Sequence, residues 1–166
     1  AELEVLKESG IKMSIVLADN PKDNSLEGKM QVLEEALALA EKGGITKPLI
    51  DTAIPAFEPA MGIAVRAIPK IKEKYGHPTG LGTGNVVTTM GWVKAHFAKE
   101  FRLGTRTATN AIMQTVGANW LMFGPAEQSD YVFPAIAIVD AYVASAMGDL
   151  DIRPLEEQHP IYKIFL

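Results

Sequence analysis

The sequence predicts an α/β fold of four consecutive βα units, the parallel arrangement found in small doubly wound sheets and in (β/α)8 barrels. Three observations carry this. A short apolar run, a polar or glycine-containing loop and a helical pattern follow one another four times. The apolar runs show little in/out alternation, as strands do when both faces of a sheet are covered. Each strand candidate is followed by enough helical pattern for the crossover that parallel strands require. A complete barrel needs about 250 residues and eight such units. With 166 residues and four units, this chain on the barrel reading is half of one.

The first strand spans Lys12 to Ala18 and ends at Asp19-Asn20-Pro21, where Asx side chains bond nearby backbone and Pro fixes φ. A helix starts near Leu26. Its apolar residues Leu26, Met30, Leu33, Leu37 and Ala40 lie on one helical face, and Gly43-Gly44 stops it. The second strand, Pro48-Leu49-Ile50, leads to Asp51. A helix from about Glu58 to Tyr75 follows, with a kink expected at Pro69. The third strand is brief, Thr79 to Gly82, and empties into Thr83-Gly84-Asn85. Helical patterns then run from Thr89 to Phe101 and from Thr107 to Val116. The fourth strand, Trp120 to Phe123, closes at Gly124-Pro125. The last helix, Asp130 to Met147, is apolar on most sides and is expected to be largely buried.

Composition narrows the function. Apolar residues make up 48% and charged residues 22%, an ordinary globular balance, and a net charge of −4 argues against a general nucleic-acid surface. The absence of cysteine excludes disulfides, thiolate ligands and cysteine nucleophiles, and suits a reducing cytoplasm. No uninterrupted apolar run approaches the roughly 20 residues of a spanning helix, since Pro134 and Asp140 break the richest stretch. The chain does not open on Met, an expected sign of processing or truncation.

Function in parallel sheets gathers at the carboxyl ends of the strands. Here those ends carry Asp19 and Asn20, then Asp51 and Thr52, then Thr83, Gly84 and Asn85, then Gly124, Pro125 and Glu127. No histidine falls among them, so neither a Ser/His/Asp arrangement nor a His-rich metal site has a place. Carboxylates and amides together suit a heterocycle with many donors and acceptors. Asp51 reads either as the cap of the next turn or as an anchor for an N–H-rich ring, and Asp19 has the same two readings. Gly80-x-Gly82-x-Gly84-Asn85 matches no phosphate-loop pattern and marks a close approach of backbone to a neighbouring strand or a ligand. Trp92, Phe97 and Phe101, at helical spacing, are expected in the core. Trp120 is expected to be packed, and Asp140 to be paired structurally. Arg102 and Arg106 are placed to meet an acidic partner or ligand tail.

Ser14-Ile15-Val16-Leu17, Pro48-Leu49-Ile50-Asp51, Gly82-Thr83-Gly84-Asn85, Phe123-Gly124-Pro125 and Tyr131-Val132-Phe133-Pro134 occur in that order. With the closing Glu157-Gln158-His159-Pro160, they resemble the C-terminal half of the H-subunit family of tetrahydromethanopterin S-methyltransferases and related corrinoid-dependent methyltetrahydrofolate methyltransferases. The resemblance implies that residues 1–166 hold strands five to eight of one pterin-binding TIM barrel. Strands one to four would then be lost by truncation or supplied by a second polypeptide or a further copy. It also implies that Asp51 and Asn85 hold the pterin, that backbone at Gly82 passes close to the ring, and that Asp19 lines the pocket. An Arg sometimes found after the Asn is replaced here by Trp92, Val93 and Lys94.

The implied reaction moves a methyl group between N5 of a methyl-tetrahydropterin, tetrahydromethanopterin or tetrahydrofolate, and the cobalt of a cobalamin-type corrinoid on a partner protein. A tertiary amine releases methyl poorly unless N5 is protonated or hydrogen-bonded as charge develops. With no acid at the third strand end, Asn85 is expected to be the catalytic group, donating to N5 or orienting a water. No metal ligand within the chain is expected. The implied setting is one-carbon metabolism and methanogenesis, in the cytoplasm or at the periphery of a membrane-associated methyltransferase complex. Two rivals stand beside this reading: a dihydropteroate-synthase-like pterin enzyme, and a non-catalytic pterin-binding or assembly subunit.

Overall fold

The computed structural model describes residues 2–54, 60–84, 86, 90–98, 100 and 102–164. Four parallel strands, β1 (Met13–Leu17), β2 (Lys47–Asp51), β3 (Thr79–Leu81) and β4 (Trp120–Leu121), form one sheet in the order β1-β2-β3-β4. The crossovers are α2 (Leu26–Lys42), α3 (Ala60–Tyr75) and, between β3 and β4, α4 (Gly91–His96) with α5 (Arg102–Thr115). After β4 come a single 3-10 turn at Ala126–Gln128 and α6 (Ser129–Gly148). The four expected βα units are therefore present. An opening helix, α1 (Glu2–Ser9), and a 3-10 turn at Pro160–Tyr162 were not anticipated by the patterning.

The boundaries follow local chemistry. The Asn20 side-chain oxygen accepts from the N–H groups of Lys22 and Asp23, making the turn after β1. Ser25 then caps α2 by accepting from Gly28 N–H at 3.0 Å. At the far end Gly44 adopts φ 89°, a value that favours glycine. The helix α3 continues through Pro69, which costs it one backbone donor.

A sequential strand order with right-handed crossovers puts every crossover helix on the same side of the sheet. Packing agrees. Val16 pairs in register with Ile50 and Ile50 with Thr79, while Leu81 pairs with Leu121. Because side chains alternate along a strand, these residues share one face. On that face Val16 and Ile50 pack with Leu33 of α2 and Ala67 and Ile71 of α3, and Leu81 packs with Ile68 of α3 and Met113 of α5.

The opposite face corrects one expectation. It holds Ile15 and Leu17 of β1, Leu49 and Asp51 of β2, Gly80 of β3 and Trp120 of β4. Met13, Ile15 and Leu17 are each about half exposed, at 54%, 48% and 52%. Among the described residues, then, helices cover one face of the sheet and not both. The strand β1 is apolar on both faces, so its sequence reads as doubly covered.

Two further expectations fail. Trp92 and Phe97 are exposed, with Trp92 stacked on His96 at 4.9 Å, because α4 is only six residues long and turns its aromatic side outward. Phe101 lies outside the described residues. The helix α6 is mostly uncovered: Val132, Ala141 and Ala144 are buried, while Tyr131, Phe133 and Tyr142 stand in solvent. Its chief neighbour is α5, which leaves most of its circumference open. The segment Ala126–Gly148, with mean hydropathy 1.5, is long and apolar enough to cross a bilayer by length and composition alone. Asp140 is paired as expected, accepting from Gln114 Nε2 at 2.5 Å.

Candidate ligand site at the strand tips

The tips of β1, β2 and β3 converge through their sheet register. Leu17 lies opposite Asp51, and Asp51 opposite Gly80. The ladder continues past the strands, with Ala18 N–H donating to the Asp51 carbonyl at 2.8 Å and Thr52 N–H to the Gly80 carbonyl at 3.0 Å. Asp51 therefore sits at the end of β2 on the bare face, flanked by the residues that follow β1 and β3.

Its carboxylate accepts from Ala53 N–H at 2.8 Å, which caps the turn and supports the unusual φ of 48° at Ala53. Burial pushes the carboxyl above its ordinary value. The Ala53 N–H, the Lys29 charge and the Gly82 N–H pull it back, and Asp19 pushes it up again. The cap reading and the anchor reading are thus compatible, since one carboxylate has lone pairs for both. Asp19 and Gly82 both act on Asp51. The turn after β1 is bonded through Asn20, so Asp19 is not consumed by it. Asn85 lies outside the described residues.

Lys29 was missed by the sequence reading. It is fully buried, and its ammonium donates to the carbonyls of Ala18 at 3.1 Å, Thr52 at 3.0 Å and Ala53 at 3.4 Å. Desolvation lowers its pKa, and Asp19 and then Asp51 raise it. It straps the segments after β1 and β2 together from beneath. A signal was present: Lys29 is three residues after Leu26 and four before Leu33, on the apolar stripe of α2.

The glycines of β3 divide by role. A methyl at Gly80 would overlap the Trp120 carbonyl and come within 2.6 Å of its indole, so this glycine serves strand packing. Trp120 is packed accordingly, as expected. A methyl at Gly82 would meet, among the described residues, only Met122 Cε, at 3.5 Å, so that side of its backbone faces open space. Thr83 is held by α5, its hydroxyl donating to Asn110 Oδ1 at 2.5 Å. Arg102 and Arg106 do not act as a pair. Arg102 bonds the carbonyls of Phe97 and Lys94 at 3.1 Å, closing the end of α4, while Arg106 is buried beside Gly124.

Carboxylates, a buried cation and bare glycine backbone at the tips of parallel strands form the arrangement with which α/β proteins bind ligands beyond the carboxyl ends of their strands. The chain belongs to the tetrahydromethanopterin S-methyltransferase MtrH subunit family, whose family profile matches residues 1–155. It is 37% identical to the tetrahydromethanopterin S-methyltransferase H-subunit of Methanocaldococcus jannaschii, over 98% of this chain and 57% of that protein. It is 34% identical to that of Methanothermobacter thermautotrophicus, over 99% of this chain and 56% of that protein. With the Methanosarcina barkeri protein of the same name the identity is 33%, over 98% and 56%. The chain spans a little over half the length of these relatives.

Proposed function

We propose that this chain is the C-terminal half of a pterin-binding (β/α)8 barrel that moves a methyl group between N5 of a methyl-tetrahydropterin and the cobalt of a corrinoid carried by a partner protein. The observation that carries the reading is the Asp51 carboxylate, which stands on the bare sheet face and is affected electrostatically by Lys29 and Asp19 and through Gly82 N–H. The relatives are named for a tetrahydromethanopterin methyltransferase subunit, which favours that pterin over tetrahydrofolate and supports a setting in methanogenesis. Support for the barrel comes from the sequential strand order, the one-sided helices and the share of the relatives that is matched.

On this reading Asp51 accepts from ring N–H groups, and Gly82 lets backbone approach the ring. Asp19 lines the neighbouring side. Asn85, three residues beyond Gly82, donates to N5 as charge develops there. The donor set at the tips suits a heterocycle and not a corrinoid, so the corrinoid enters with its own protein through the open end. When bound, it supplies the cobalt that takes or gives the methyl group. The family's subunit character fits a multi-subunit assembly, in the cytoplasm or against a membrane complex. A dihydropteroate-synthase-like condensation would favour a lysine together with a phosphate-binding Arg or His near the late strands, and the tips of β3 and β4 carry no lysine to complete that set.

The test is an assay of the intact protein with methyl-tetrahydromethanopterin and cob(I)alamin, following the corrinoid spectrum. Asn85→Ala is expected to lower kcat by about 100-fold. Normal turnover in that variant rejects the role given to Asn85. Tight pterin binding without any turnover favours an assembly subunit.

A further inference from the structure

The tips of β3 and β4 hold a polar feature that the pterin reading leaves unused. Arg106, on α5, is only 7% exposed. Its Nη1 donates to the side-chain oxygen of Gln128, and its Nε is buried with no hydrogen-bond partner among the described residues. Among the described residues no carboxylate forms an ion pair with it; the pairs found there join Lys7 to Glu4, Lys70 to Glu73 and Lys74 to Glu34. A guanidinium keeps its charge in proteins, so one buried without an anion bears an uncompensated desolvation cost.

The guanidinium borders an open cavity of about 660 Å³ whose walls include Gly82, Gly84, Met122 and Gly124. Gly124 has φ 118°, and a methyl there would sit 3.5 Å from Cζ, Nε and Nη1 of Arg106. Glycine thus leaves the guanidinium uncrowded. Gly84 lies directly against Gly124, where a methyl would come within 2.8 Å of its Cα. Bare backbone around a buried arginine that has no ion pair among the described residues is what a small anion needs in order to reach it.

We propose that Arg106 and the glycine-lined cavity beside it form an oxyanion site, which takes a phosphate or carboxylate group lying across the tips of β3 and β4. The Nε edge of a guanidinium offers parallel donors that match two oxygens of such a group. The site spans from one to two strand spacings from β2, roughly 5–10 Å. If the pterin reading holds, Asp51 would receive the N–H-rich ring and Arg106 an acidic group at the other end of the same ligand.

Inorganic phosphate titrated calorimetrically into the intact protein at low ionic strength should bind saturably, and equally well in Asp51→Asn. Arg106→Met should weaken that binding at least tenfold, and Arg106→Lys should restore part of it. Thermal denaturation without phosphate checks that each variant folds. Should Arg106→Met not fold, Gly82→Val, which fills the cavity from a position with free space, replaces it. Wild-type protein without saturable phosphate binding, or Arg106→Met binding as tightly as wild type, overturns the proposal. If phosphate raises the KM of a pterin with an acidic tail and not that of its tail-less counterpart, the site serves the tail; if it raises neither, the site serves a separate oxyanion. Both results uphold the site. Because phosphate binding is read without pterin, failure of the pterin reading leaves this test intact.

Discussion

Lys29 donates to the carbonyl of Thr52 at 3.0 Å across 23 residues of chain, joining a crossover helix to the tip of the next strand. Together with the bonds to Ala18 and Ala53, this places one positive charge under the turn that presents Asp51. A lysine in the interior is costly unless its donors are satisfied, and here three carbonyls satisfy them.

Replacing Lys29 with Met keeps the length of the side chain and removes every donor. Stranded carbonyls cost about 1–3 kcal/mol each. Partial hydration of the loop offsets some of this, so a net loss of about 3 kcal/mol is expected from urea denaturation at neutral pH. The pH dependence supplies a second readout. Burial depresses the folded pKa below the unfolded value of 10.5. Between those two values the unfolded chain binds more protons, so wild-type stability rises with pH through that window. Lys29→Met should lack the rise. Identical alkaline profiles for the two proteins would show that the ammonium is not buried in solution.

Asp51→Asn should separate binding from folding. Burial holds the Asp51 carboxyl above 3.8, so its contribution to stability is complete below pH 3.8 and fades as pH rises through the folded value. At neutral pH the charged group is therefore a burden to the fold. The amide still accepts from Ala53 N–H. Asn at this position should leave Tm equal or higher at pH 7 while weakening pterin affinity by about 10–100-fold, the worth of a charged hydrogen bond or two. Scanning calorimetry and titration calorimetry read the two effects. A variant that loses stability and keeps its affinity would make Asp51 a turn cap and nothing more.

The two glycines of β3 give an opposed pair. Gly80→Ala forces a methyl into the Trp120 carbonyl and indole, and strand β4 must shift, so a loss of about 3 kcal/mol is expected. Among the described residues Gly82→Ala meets only Met122 Cε, at 3.5 Å, and should change stability by less than about 0.5 kcal/mol. Ligand affinity should respond in the second variant even though the fold does not. Equal denaturation midpoints for the two variants would contradict the assigned contacts.

Strand positions were legible because each apolar run ends in an Asx or glycine signal, and α2 because its stripe from Leu26 to Ala40 has a clean period. Exposure was not. Ile15 and Leu17 read as covered on both sides because β1 is apolar on both faces, and composition alone does not tell which face the helices cover. The same holds for Phe133 and Tyr142 on α6, which are apolar by composition and open here. At the site, Asp51 and Gly82 could be found from their place at strand ends. Lys29 could not be found by type, since lysines are ordinarily solvated; only its position on an apolar stripe betrays it. Arg106 shared its sequence cue with Arg102, and only burial separates the two.

The bare sheet face yields the last prediction. Met13, Ile15 and Leu17 of β1, and Met122 just beyond β4, are large apolar side chains about half exposed, and Leu17 lies opposite Asp51. Contiguous apolar surface of this kind marks a partner surface. An edge strand such as β1 also offers unpaired backbone groups to another strand. The isolated 166-residue chain is accordingly expected to self-associate or aggregate at micromolar concentration and to bind a dye such as ANS. Co-expression with the complementary strands of a relative-length chain should suppress both. Leu17→Lys should shift the isolated chain toward monomer, because a charge on β1's open face opposes burial against another copy. Analytical ultracentrifugation decides: a monomeric wild-type chain without dye binding would mean that this face needs no cover, and the half-barrel reading would fall with it.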